Sequence, residues 1–143
     1  MFSHEIEQEL NHLKCFKGVY SKNNLPLRKL VTRPIAFIIN TQNSDEPGEH
    51  WVGLFVAKNN IAEFFDSFGR NPLCCEIKKF LIINDVKILI INKNIIQNIF
   101  SDNCGRYCIL FIKLKCNGMT FSDFLKLFNK NTLSNEILIE NLI

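Results

Sequence analysis

The chain has 143 residues, the size of one domain, and its 47% apolar content is enough to build a core without staples. A formal net charge of +3 is too small to argue for a nucleic-acid partner, and Lys78, Lys79 and Lys87 read as a solvated face. Residues 1–14 (MFSHEIEQELNHLK) are too polar for a signal peptide, and no apolar run approaches the ~20 residues that span a bilayer. The expectation is an intracellular protein with no membrane partner. Six cysteines stand at 15, 74, 75, 104, 108 and 116. Without export signals they are expected to be reduced, and their spacing supplies no four-ligand metal set.

In chain order, Ile6, Leu10 and Leu13 recur at helical spacing, which predicts an amphipathic helix over residues 5–13. Residues 16–27 (FKGVYSKNNLPL) read as a turn-rich segment. Residues 34–40 (PIAFIIN) read as a buried strand, and 41–49 (TQNSDEPGE) as a loop of turn formers. Residues 50–57 and 61–66 are predicted strands joined by a hairpin turn at 58–60. A turn at 67–71 leads to a helix over 72–83, with Pro72 in its first turn. A strand over 86–91 and a loop over 92–103 precede an apolar, central helix at 104–115. Helices over 120–129 and 133–142 follow. Strands in the middle and helices at the ends define an α+β class. One domain over 1–143 is expected, with a small mixed or antiparallel sheet packed on the central helix.

Four residues draw attention as chemistry. Cys104 opens the central helix, where the dipole favours the thiolate, and Asp102 or Asn103 is positioned to cap it. Gly105 beside it leaves room for a substrate backbone. Cys15, Cys108 and Cys116 lack that setting and read as core. His50 begins a strand directly after a polar loop, so its ring is expected at the sheet's edge with Trp51 on the opposite face; His4 and His12 read as surface residues. Asp66 ends the next strand, from where a carboxylate can fix an imidazole tautomer, whereas Glu63 points to the other side. Gln97, upstream of Cys104, can turn its amide toward the helix mouth as an oxyanion donor beside the Cys104 N–H. Each has an ordinary alternative: a structural cysteine, a surface histidine, a turn aspartate, a solvated glutamine. Their joint placement at the ends of elements is what gives them weight.

The order His50-Trp51, Phe65-Asp66-Ser67-Phe68-Gly69, Gln97 and Cys104-Gly105 resembles the adenovirus protease (adenain) and the related ubiquitin-like-protein-specific cysteine proteases. Phe16-Lys17-Gly18-Val19-Tyr20 and Ile38-Ile39-Asn40-Thr41 extend the likeness. Similar sequences occur in virus-like Maverick or Polinton transposons. The resemblance implies a circularly permuted papain-like fold and a cysteine endopeptidase. In it Cys104 is the nucleophile, His50 the base, Asp66 the third member and Gln97 with the Cys104 N–H the oxyanion donors. Trp51 and Gly105 would border the substrate. It also implies a viral or transposon maturation protease that cuts capsid or virion precursors after small, Gly-rich sites, in the host nucleus, the cytoplasm or the virion. The alternatives are a deubiquitinase or deSUMOylase-type isopeptidase and a catalytically silent adaptor. No cofactor is expected. Adenain's activating peptide binds a cysteine upstream of the glutamine; residues 85–90 contain none, and the charge does not favour DNA, so neither activator is expected.

Overall fold

The computed structural model describes residues 1–46, 50–70 and 74–143. Its elements run α1 (Ser3–Leu10), β1 (Phe16–Ser21), β2 (Ile35–Asn40), β3 (Trp51–Val56), β4 (Ile61–Phe65), α2 (Cys75–Ile83), β5 (Ile88–Ile91), α3 (Cys104–Cys116), α4 (Phe121–Leu125) and α5 (Thr132–Leu142). The five strands form one sheet in sequence order. β2, β3 and β4 are antiparallel, while the outer pairs β1–β2 and β4–β5 are parallel, so the sheet is mixed.

The α+β reading holds, with two differences in the elements. β1 is a strand where turns were expected. Gly18, at φ +135°, sits at an irregularity in its pairing with β2, and this edge strand is mostly half-exposed, so its apolar signal is weak. The helix expected over 120–129 stops at Leu125. Beyond it the chain turns so that Phe128 packs on Phe124, with ring centroids 5.4 Å apart. The expected helical start at Pro72 and the end of the 41–49 loop lie outside the described residues.

Two apolar layers flank the sheet. On one face, Ala36, Ile38, Phe55 and Phe65 meet α3 through Tyr107, Cys108 and Phe111, together with Ile6 and Leu10 of α1 and Ile139 of α5. On the other, Phe37, Ile39, Leu54 and Phe64 meet Ile77, Phe80 and Leu81 of α2. The buried runs of β2 and β3, apolar on both faces, follow from this covering. Phe65, Phe111, Phe121, Phe124 and Phe128 form an aromatic cluster with edge and stacked geometries, which is where much of the phenylalanine goes. α3 lies close to β3 because Gly53 has no side chain: a Cβ there would stand 2.6 Å from Phe111 Cδ2. That approach brings the first residue of α3 beside the start of β3.

The expectation of reduced thiols fails for Cys15 and Cys116, which form a disulfide between the α1–β1 turn and the end of α3, 101 residues apart in sequence. Spacing gave no hint of it, because the partners meet only after the chain has passed through the whole sheet. Closing so long a loop contributes roughly 2–4 kcal/mol. Cys108 is buried as expected, and Cys74, Cys75 and Cys104 are free. Lys78, Lys79 and Lys87 are exposed, as are His4 and His12. No helix among the described residues is long and apolar enough to cross a membrane.

Candidate active site

β3 is the middle strand, and His50 directly precedes it, so the imidazole lies at the end of the sheet's centre rather than at an edge. Asp66 follows the last residue of the neighbouring β4. The antiparallel pairing of β3 with β4 places these two ends side by side, and His50 Nε2 lies 2.7 Å from Asp66 Oδ1. Both side chains are buried. Asp66 is held from three directions. Its Oδ1 also accepts the Phe68 N–H at 2.9 Å, and the Asn92 amide brackets its backbone, accepting from its N–H at 2.9 Å and donating to its C=O at 2.7 Å. The Phe68 ring lies 5.0 Å from the imidazole and covers it. Gly69, at φ +63°, turns the chain where a Cβ would meet the Asn94 carbonyl at 2.6 Å.

With Nε2 engaged by Asp66, Nδ1 is the nitrogen left for the Cys104 sulfur, which hydrogen-bonds the ring. Cys104 is the first residue of α3, and only at Tyr107 does a helix N–H find its i−4 carbonyl. The Cys104, Gly105 and Arg106 N–H groups therefore lack intrahelical partners at the positive end of the dipole. Burial pushes the Cys104 thiol up, but the His50 hydrogen bond, the Trp51 and Gly105 backbone N–H groups and the His50 charge outweigh it and hold the thiol below its ordinary value. Burial likewise pushes His50 down, but its bonds to Asp66 and Cys104 raise it to about 9. The two shifts together favour a thiolate–imidazolium pair.

Gln97 is fully buried rather than solvated. The Ser67 hydroxyl donates to its Oε1 at 2.5 Å, and its Nε2 donates to the Ser101 carbonyl at 2.8 Å. That fixes the amide with nitrogen toward the start of α3, lining one cleft of 620 Å³ with His50, Trp51, Ser101, Asp102 and Cys104. The Ser67 carbonyl also accepts the Ile96 and Gln97 N–H groups, which ties the β5–α3 loop to the turn after Asp66. Ser67, Asn92 and Ser101 were not singled out from sequence. Only Ser67 stands directly beside a candidate residue, Asp66, and short polar side chains in loops give no other signal.

Two expectations need correction. Neither Asp102 nor Asn103 caps α3 through its side chain. Asn103 occupies the cap position but donates to Glu136 Oε1 at 2.9 Å instead. The room expected at Gly105 for a substrate is filled by this chain. A Cβ there would lie 3.0 Å from Met1 Sδ and 3.4 Å from Trp51 Cδ1, because α1 packs on α3 through Ile6 and Leu10. The Trp51 indole donates to the Met1 carbonyl at 3.1 Å, so Met1 and Trp51 together wall the cleft. Glu63 points away from His50 as expected and pairs with Lys115, at the far end of α3 from Cys104, at 2.7 Å. No group of three or more His, Cys, Asp or Glu side chains able to hold a metal occurs among the described residues.

The fold is one that a solved viral protease shares. The crystal structure of the African swine fever virus protease matches it with a TM-score of 0.63, over 94% of this chain and 63% of that one, at 16% identity. In sequence, the chain is 29% identical over 111 residues to a cysteine protease from a Malawi tick isolate of African swine fever virus, covering 68% of this chain and 40% of the relative. It is 28% identical, with the same coverage, to a SUMO-1 cysteine protease from a Namibian warthog isolate. The chain thus spans 40% of the length of the curated relatives it matches. No protein-family model matches it. These likenesses agree with the resemblance to adenain and the ubiquitin-like-protein-specific cysteine proteases carried by the His-Trp, Phe-Asp-Ser-Phe-Gly, Gln and Cys-Gly signature.

Proposed function

We propose that the chain is a cysteine-type peptidase with Cys104 as nucleophile, His50 as acid–base, Asp66 as the group that orients the imidazole, and Gln97 with the Cys104 N–H as oxyanion donors. The observation that carries the reading is the convergence of thiol, imidazole, carboxylate and amide on one cleft, with the imidazole held at 2.7 Å by a carboxylate and hydrogen-bonded to the sulfur. The thiolate attacks the peptide carbonyl and its electron pair forms the C–S bond. The carbonyl oxygen takes up negative charge and accepts from the Cys104 N–H and Gln97 Nε2. As the tetrahedral intermediate collapses, the proton on His50 Nδ1 passes to the leaving amine and the C–N bond breaks. His50 then takes a proton from water, hydroxide attacks the thioester, the C–S bond breaks to restore the thiolate beside the imidazolium, and the carboxylic acid product releases its proton to solvent as it leaves. Asp66 orients the ring and stabilises the imidazolium through Nε2.

The substrate we infer is a viral or virus-like-element protein precursor cut after small residues, since Met1 and Trp51 leave little width beside Gly105. A second reading, release of a ubiquitin-like modifier, is favoured by the relative named a SUMO-1 cysteine protease. Incubation with a peptide bearing a C-terminal Gly-Gly electrophile is expected to add one peptide mass to Cys104. Turnover of a Gly-Gly fluorogenic peptide and of SUMO-1 carrying the same fluorophore then ranks the readings, with preference for SUMO-1 favouring the second. Labelling of Cys74 or Cys75 in place of Cys104 would refute the assignment.

A further inference from the structure

Glu136, on α5, is a buried carboxylate that the proposed chemistry does not use. Its Oε2 accepts the Tyr107 hydroxyl at 2.5 Å and the Asn98 N–H at 3.1 Å, and its Oε1 accepts Asn103 Nδ2 at 2.9 Å. The three donors belong to three pieces of the site. Asn98 directly follows Gln97, Asn103 directly precedes Cys104, and Tyr107 lies in the first turn of α3. The adjacent Asn135 donates to the Ile96 carbonyl at 3.0 Å, on the other side of Gln97, and Thr132 Oγ1 accepts from the Asn98 side chain at 3.0 Å. α5 therefore grips the peptide groups on both sides of Gln97 and the entry to α3 from one turn of helix. The donors, with Ser101, hold Glu136 below the usual carboxylate range although burial pushes it up, so it remains an anion with its lone pairs engaged.

Resting on the peptidase reading, we infer that Glu136 is a positioning residue for the oxyanion site: it sets the spacing between the Gln97 amide and the Cys104 N–H, and so governs acylation rather than substrate binding. The Gln97 side chain is anchored at Ser67 and Ser101 and its N–H at the Ser67 carbonyl, while the flanking Ile96 carbonyl and Asn98 N–H are anchored from the other side by Asn135 and Glu136. A buried carboxylate that accepts three donors cannot be replaced by an amide without loss, because the amide nitrogen accepts nothing. The pieces it joins then relax by fractions of an ångström. Oxyanion donors act only where they meet the developing charge, so a small displacement costs rate and leaves affinity alone.

The test uses the full chain, a Gly-Gly fluorogenic peptide for turnover and iodoacetamide for the thiol. Glu136→Gln is expected to lower kcat about tenfold with KM within about twofold. The double variant Gln97→Ala, Glu136→Gln is expected to be no slower than Gln97→Ala alone, since the donor that Glu136 positions is already gone. Alkylation of Cys104 by iodoacetamide, which builds no oxyanion, is expected to be unchanged. Should Glu136→Gln fold poorly, Tyr107→Phe removes one of the donors to the carboxylate and is expected to give the same pattern with a smaller effect. Losses that multiply in the double variant, or alkylation that slows in step with kcat, would assign Glu136 a purely structural role and overturn the inference. Turnover that dies with Cys104→Ala yet ignores both Glu136→Gln and Tyr107→Phe overturns this inference alone; turnover that survives Cys104→Ala overturns the peptidase reading with it.

Discussion

Cys104→Ala is expected to reduce peptide hydrolysis about a million-fold, to the background of the assay, while leaving the thermal midpoint within a few degrees of the parent. The loss is large because the variant keeps everything except the atom that forms the bond. The Cys104 N–H still opens α3, Gln97 remains pinned by Ser67 and Ser101, and His50 still bonds Asp66. The small stability effect follows from alanine's high helix propensity at the first helical position, set against the loss of one buried sulfur and its bond to His50. Cys104→Ser separates shape from nucleophile. It keeps the side-chain size but presents a hydroxyl, which the imidazole must deprotonate against a far higher pKa than the depressed thiol here. It is expected to be as inactive as alanine on an amide. Initial rates with the fluorogenic peptide, with circular dichroism as control for folding, measure both effects.

The second large effect is at Gln97. Gln97→Ala is expected to lower kcat by ~10²–10³, with KM little changed, as for loss of one oxyanion donor elsewhere. Unlike Cys104→Ala it should also destabilise. The amide is buried and satisfies the Ser67 hydroxyl at 2.5 Å and the Ser101 carbonyl at 2.8 Å, so its removal strands two polar groups, at roughly 1–3 kcal/mol each. Gln97→Glu divides the two roles. A carboxylate can still accept from Ser67, but it has no N–H for Ser101 or for the oxyanion, and it brings like charge to the reacting centre. Turnover is expected to fall at least as far as in Gln97→Ala. Denaturant midpoints measured beside kcat and KM separate lost stability from lost chemistry.

Much of the candidate site is legible in the sequence. His50, Asp66, Gln97 and Cys104 sit at boundaries between apolar runs and polar loops, and boundaries are where a sheet and a helix expose side chains to a cleft. α3 and the buried strands were legible because apolar residues recur or run together there. The supporting residues were not. Asn92 acts through hydrogen bonds to the Asp66 backbone, Ser67 through its hydroxyl on Gln97 Oε1 and its carbonyl on the Ile96 and Gln97 N–H groups, and Glu136 from nearly 40 residues downstream on a helix that reads as ordinary surface and core. Contacts of that kind depend on the tertiary path of the chain and leave no local pattern. β1 is illegible for a related reason, since a half-exposed edge strand with a glycine irregularity lacks the alternation that marks a regular strand. The Cys15–Cys116 disulfide joins segments brought together only by the packing of α1 and α3 against the sheet. Gly105 is the converse case: a missing side chain reads as space for a substrate, whereas Met1 and Trp51 use that space.

The pairing of Cys104 with His50 can be tested directly by the pH dependence of Cys104 alkylation, followed by mass spectrometry in the parent protein and in His50→Ala. The thiol is held low and the imidazole is raised to about 9, so thiolate and imidazolium should coexist from below the ordinary thiol range up to about pH 9. The parent is therefore expected to alkylate with a midpoint below the ~8.5 of a free cysteine. His50→Ala should move that midpoint upward, because burial then acts on the sulfur without the imidazole to oppose it. A midpoint at or above 8.5 that is the same with and without the imidazole would contradict the ion pair, and with it the assignment of Cys104 and His50 to one reaction.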